Sequence, residues 1–134
     1  MFKKKLTNSN FKLSHSVFER MRESNRVLSK YPDRIPVICE KGRNADILDI
    51  DKNKFLVSCD LTCGQLIYVI RKRLKLDSEK AIFIMINGIM PPQSDNLYNL
   101  YNLYKDTDGF LYISYTSENV FGKWLSFLFN EWYS

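Results

Sequence analysis

Thr62-Cys-Gly-Gln-Leu-Ile-Tyr-Val-Ile-Arg-Lys-Arg-Leu74 is the stretch on which the fold turns. Thr62 and Gln65 stand three apart, the spacing of a capping box, in which each side chain satisfies the other's backbone N–H. Leu66, Ile67, Val69, Ile70 and Leu74 then recur at helical period. Arg71, Lys72, Arg73 and Lys75 load the last turn with positive charge, which suits the negative end of the helix dipole. The stretch is therefore an amphipathic helix, and its neighbours decide what it packs against. Before it, Ile35–Cys39 and Lys54–Ser58 read as strands around a charged loop with Gly42 and Asn44, a hairpin with an open end. Pro36 marks a strand start or an edge. After it, Ala81–Ile86 reads as a strand buried on both faces, and Asn87-Gly88 as a tight turn. Pro91-Pro92 breaks the chain before a short helix over Asp95–Tyr104; Asp108-Gly109 then turns into a last strand, Phe110–Thr116. One helix between two strand pairs excludes a repeating βαβ fold. A single sheet wrapped over that helix, an α+β domain, fits instead.

Working outward, Ser16 and Glu19 form a second capping box, followed by a partial apolar stripe of Phe18, Met21, Val27 and Leu28. Pro32 biases Tyr31 out of the helical region and ends that helix. Shorter helical turns are expected within residues 6–14. Asn96–Tyr104 repeats the triplet Asn-Leu-Tyr three times, and a period of three fits helical packing only loosely.

The chain has 134 residues, about one domain. With 45% hydrophobic and 26% charged residues it is neither a disordered nor a fibrous sequence. Its longest apolar run, Ala81–Ile86, is far short of the roughly 20 residues of a membrane span. Lys3-Lys-Lys5 precedes no apolar core of a secretory signal. The net charge of +5 is an N-terminal property: residues 1–30 carry +6 and the remainder −1. Such an arm suits anionic lipid, nucleic acid or an acidic protein surface, or is simply a solvated helix face. Three cysteines (Cys39, Cys59, Cys63) and one histidine (His15) point to reduced thiols, and their spacing makes no zinc site. Phosphate-loop, nucleophile-elbow and metalloprotease motifs are missing from the sequence. Asp49/Asp51 and Asp106/Asp108 read as turn formers. Basic and aromatic residues do not interleave as in RNA-binding modules, so nucleic acid is weakly supported as a partner.

Seven segments in order resemble the autophagy ubiquitin-like modifiers, the family of the yeast autophagosome modifier and the mammalian GABARAP-type proteins. They are Arg34–Lys41, Phe55–Val57, Asp60–Gln65, Tyr68–Arg73, Glu79–Ile84, Asp106–Tyr112 and Glu118–Gly122. The resemblance runs from about Val17 to Gly122 without a gap. It implies a ubiquitin-like β-grasp fold with two additional N-terminal helices. It also implies a protein that acts by attachment rather than catalysis. In the family a cysteine protease cuts after the glycine of the Glu-Asn-x-Phe-Gly motif, and activating and conjugating enzymes join that glycine to phosphatidylethanolamine. The matching residues are Phe121 and Gly122. No cofactor is expected beyond that covalent lipid.

The resemblance further implies docking of cargo receptors through aromatic-x-x-aliphatic motifs, added as a strand to the edge at Lys52–Ser58. The implied aromatic pocket is Glu23, Val27, Pro36, Ile38, Lys54, Leu56 and Phe110. The implied aliphatic pocket is Phe55, Val57, Leu61, Leu66 and Val69. Arg34, Lys52, Lys54 and Arg73 would form a charged rim for acidic flanks. Leu48 and Ser58 depart from the family, which often has proline at both. Met85-Ile86-Asn87 and the Asn-Leu-Tyr triplets depart as well.

The largest departure is the stretch after Gly122. Lys123–Ser134 carries seven apolar or aromatic side chains and both tryptophans, with Trp124, Leu128 and Trp132 every four residues. Left in water, these would forgo on the order of 10 kcal/mol of burial. The expected organisation is a basic arm over 1–15, a ubiquitin-like domain over 16–122, and a removable extension over 123–134. The expected product is a lipidated, otherwise monomeric modifier, in the cytoplasm and on autophagosome or related vesicle membranes. The alternative is an uncleaved, non-lipidated adaptor whose tail docks on itself or on a membrane surface.

Overall fold

The computed structural model describes residues 9–42 and 47–117. Its elements are α1 (Asn10–Ser14), α2 (Val17–Lys30), β1 (Arg34–Lys41), β2 (Lys54–Ser58), α3 (Cys63–Leu74), β3 (Ile82–Met85), α4 (Leu97–Tyr104) and β4 (Leu111–Ser117). The strands form one mixed sheet in the order β2-β1-β4-β3. β1 runs antiparallel to β2 and parallel to β4, and β3 runs antiparallel to β4.

Alternation along each strand divides the sheet into two faces. Ile35, Val37, Cys39, Leu111, Ile113, Tyr115, Ile82 and Ile84 join Leu66 and Ile70 of α3 and Leu97 and Leu100 of α4 in the main core. On the opposite face Ile38 and Phe110 close over Phe11 of α1, with Tyr112 alongside. Phe11 and Phe110 meet edge-on with ring centroids 5.3 Å apart. The sheet is thus covered on both sides, by α3 and α4 beneath and by the N-terminal helices above.

The caps explain where the helices begin. Thr62 and Gln65 make the reciprocal capping box at α3, Ser16 accepts from the Glu19 N–H at α2, and Ser9 accepts from the Lys12 N–H at α1. α3 ends at Lys75, which takes a left-handed conformation with φ 53°.

Three expectations are corrected. Pro36 is the third residue of an interior strand, not a strand start or an edge. The Cys39 N–H donates to Asn53, so the odd residues of β1 point their N–H groups at β2. The nitrogen of Pro36 therefore faces the β4 side, one residue before that ladder starts at Val37–Leu111. No ladder bond is lost there. Second, β3 spans only Ile82–Met85 and is an edge strand with alternating burial, not one buried on both faces. Third, α4 starts at Leu97, not Asp95, because Asn96 caps it through the Tyr98 N–H. The triplet drifts around this helix: Leu97 and Leu100 are buried, but Leu103 is 72% exposed.

Candidate functional site

β2 is an outer strand, and its chemistry follows from register. Cys39 donates to Asn53 and Cys59 donates to Asp33, so the odd residues of this segment face β1 with their backbone groups. The backbone groups of the even residues Lys54, Leu56 and Ser58 face outward. An extended peptide laid along this edge finds a ready ladder. Ser58 supplies an outward N–H where a proline would supply none.

The side chains divide the other way. Lys54 and Leu56 rise on the face covered by α2, and Phe55 and Val57 pack toward the main core and α3. The two residue sets named from the sequence thus lie on opposite faces of one edge strand. In the first set Pro36, Ile38 and Phe110 are buried, the last two against Phe11 of α1. Val27, Leu56 and Glu23 are half-buried. Glu23 and Lys54 join α2 to β2 through an ion pair of 2.6 Å, a pairing the sequence did not announce. In the second set Leu66 has no exposed surface and belongs to the core. Phe55, Val57, Leu61 and Val69 remain partly accessible beside it.

The rim is cationic. Arg34 and Lys52 are exposed. The Arg34 guanidinium lies 5.6 Å from the Tyr31 ring centre, and Arg73 lies 5.8 Å from that of Phe55. Both arginines keep an aromatic neighbour while their charge stays available to an acidic flank.

α2 is held in place by a residue that the sequence reads only as a turn former. Asp108 is fully buried and accepts from the Arg20 guanidinium at 2.6 Å, from the Tyr112 hydroxyl, and from the Phe110 N–H at 2.9 Å. The Ser24 hydroxyl donates to the Asp108 carbonyl at 2.5 Å. Gly109 has φ +92°, and a Cβ there would stand 2.5 Å from the Ser24 oxygen. Glycine therefore permits both the turn and the close approach of α2. α1 is fixed by Lys12 to Asp106 at 2.6 Å and by the Ser9 hydroxyl and Phe11 N–H to Glu40. Residues 9–14 accordingly pack on the sheet.

The remaining chemistry is quiet. Burial, reinforced by the Glu40 charge, pushes the Cys39 thiol up to about 12. Burial, reinforced by Asp95, pushes Cys63 up to about 11. Thiols so raised are protonated at neutral pH and are poor nucleophiles. Among the described residues no His, Cys, Asp or Glu cluster could hold a metal ion. No described helix is long and apolar enough to cross a membrane. Phe121 and Gly122 lie outside the described residues.

Comparison with known proteins agrees with this geometry. The family model described as autophagy protein Atg8, ubiquitin like, matches residues 19–122. Autophagy-related protein 8 of Pichia angusta is 55% identical over 115 residues, covering 86% of this chain and 92% of that protein. Autophagy-related protein 8a of Arabidopsis thaliana is 51% identical over 117 residues, covering 87% and 96%. The crystal structure of Trypanosoma brucei ATG8 superposes with a TM-score of 0.81 at 44% identity, covering 84% of this chain and 97% of that one. A covered β-grasp sheet, two N-terminal helices and relatives of this closeness lead to one conclusion: the chain belongs to the Atg8 family of ubiquitin-like autophagy modifiers.

Proposed function

We propose that the chain is a precursor cut after Gly122 and joined through that glycine to phosphatidylethanolamine, after which it recruits receptors to autophagosome membranes. The observation that carries this reading is where the family match stops, at residue 122, twelve residues before Ser134. Glycine suits the role because an extended terminus without a Cβ threads narrow enzyme channels. Phosphatidylethanolamine brings two acyl chains, and stable anchoring takes two such signals. The partners are the family cysteine protease and the ubiquitin-like activating and conjugating enzymes. The protein itself catalyses nothing and is monomeric before lipidation.

Receptor docking uses the outer edge of β2. A motif strand bonds to the outward backbone groups of Lys54 and Leu56. Its aromatic side chain enters over Ile38 and Phe110 after Lys54 swings away from Glu23. Its aliphatic side chain rests against Phe55, Val57 and Val69. Arg34, Lys52 and Arg73 attract flanking acids.

Two assays test these halves. In a reconstituted conjugation reaction, Gly122→Ala abolishes the lipidated product; normal product from that variant contradicts the attachment site. Titration with an acid-flanked aromatic-x-x-aliphatic peptide shows at least about tenfold weaker binding to Lys54→Glu, equivalent to 1.4 kcal/mol. Unchanged affinity removes the β2 edge as the dock. An uncleaved adaptor remains the second reading, because the docking edge is complete without Gly122.

A further inference from the structure

An open groove of about 570 Å³ lies beside the aliphatic half of the docking edge. Its lining includes Leu61, Tyr68, Val69, Gly64, Gln93 and Ser94. Its volume is within the range of small-ligand sites. Gly64 donates to the Gln93 carbonyl, and a Cβ at Gly64 would stand 3.4 Å from that oxygen, so the two walls are tied closely together. Tyr68 projects into solvent with 58% of its surface exposed, and the Lys72 ammonium lies 4.7 Å from its ring centre. The groove is therefore part apolar and part polar, with an aromatic wall and amide and hydroxyl groups opposite. That suits an indole, which offers an apolar ring and one N–H donor.

We infer that the uncleaved segment 123–134 seats its tryptophan face in this groove and shields Leu61 and Val69 until the chain is cut. This regulation of the docking edge rests on the function proposed above. The occupant is chosen by composition and reach. Both tryptophans of the chain, Trp124 and Trp132, lie in this segment, four residues either side of Leu128. β4 ends at Ser117, paired with Ile82 at the start of β3. The Arg71 guanidinium donates to the Lys80 carbonyl, so the C-terminal end of α3 lies near that same end of the sheet. The groove lies at the opposite end of α3, about 18 Å along a 12-residue helix. The seven residues from Ser117 to Trp124 span up to about 23–25 Å. The fifteen residues to Trp132 span up to about 50–54 Å, so the segment has the length to reach the groove, and the bond after Gly122 lies in the span that leads to it.

Both tryptophans belong to the tail, so tryptophan emission, excited where tyrosine does not absorb, reports on it alone. In the full chain the tryptophans are expected to resist iodide quenching relative to a free 118–134 peptide. Tyr68→Glu, an exposed change compatible with the helix, restores quenching. The second readout is affinity for an acid-flanked peptide with phenylalanine and leucine three apart and no tryptophan. The full chain is expected to bind it about tenfold more weakly than the chain ending at Gly122. Tyr68→Glu removes that difference and leaves the shorter chain's affinity unchanged. Quenching equal to the free peptide, or shielding indifferent to Tyr68→Glu, overturns the inference. So does shielding lost on dilution, which assigns the groove to a second copy. Weaker peptide binding by the shorter chain bearing Tyr68→Glu would assign the groove to the incoming motif and also overturn it. If the shorter chain fails to bind the peptide while groove-dependent shielding persists, the docking reading falls and the seat of the tail stands.

Discussion

Asp108 and Arg20 show how a single buried carboxylate fixes a helix against a sheet. The acid is 1% exposed and receives the Arg20 guanidinium across 88 residues of sequence. Removing one member of a buried pair strands the other charge in a medium that cannot solvate it. Arg20→Ala is therefore expected to cost about 3–5 kcal/mol in urea unfolding; a loss below about 1 kcal/mol contradicts the pair's role. Gly109→Ala forces a Cβ against the Ser24 oxygen at positive φ and is expected to cost about 1–3 kcal/mol. An unchanged midpoint would show that α2 can retreat. Only half of this was legible. The sequence reads Asp106 and Asp108 alike, as turn formers, and Asp106 does accept the Asp108 N–H. The partner of Asp108 stands on a helix far away in sequence, and no local pattern announces a contact of that separation. The same limit applies to Glu23 and Lys54. Each suits its own element, and their pairing appears only once α2 packs on the sheet beside β2.

At the scale of elements, caps and periodicity carry most of the reading. Both caps mark true helix starts because their chemistry is local, three residues wide, but only Thr62–Gln65 makes the reciprocal box; at α2 the Glu19 carboxylate accepts from the Ser16 hydroxyl rather than from its N–H. Thr62→Ala should cost about 1 kcal/mol in unfolding free energy; no change would mean that the isolated bridge between Thr62 and Asn96 already fixes α3. Strand limits were less legible, since Pro36 sits inside β1 only because β4 begins one residue later. The attachment of α1 has a pH signature. Burial raises the Asp106 pKa, but the Lys12 hydrogen bond, the Asp108 N–H and the charges of Lys12 and Arg20 together hold it below the ordinary value. A depressed folded value stabilises above the unfolded pKa of about 3.9 and is lost as pH falls through the folded one. Amide exchange at Asn10–Ser14 should therefore accelerate relative to α3 as pH drops below about 4. Lys12→Ala should flatten that dependence. Equal acid sensitivity in the variant would detach Asp106 from the behaviour of α1.

On the scale of the whole molecule, the order β2-β1-β4-β3 leaves β2 at an edge with helices above and below. That arrangement puts alternate side chains of one strand into two different environments, which is what a motif with two anchors requires. The α+β class followed from one helix between two strand pairs. The parallel β1–β4 contact did not, because pairing order is fixed by the joint burial of Val37, Leu111 and Ile113 rather than by any one segment. The apolar residues proposed for docking could not be told from core by type alone: Leu66 and Val57 look alike in sequence until burial separates them. The central claim is a modifier that acts from a membrane through Gly122, and intact mass in its native cells tests it directly. A chain ending at Gly122, with a membrane-bound form heavier by one phosphatidylethanolamine, is the expected result. A chain that retains Lys123–Ser134 in every fraction, with no lipid attached, would contradict it.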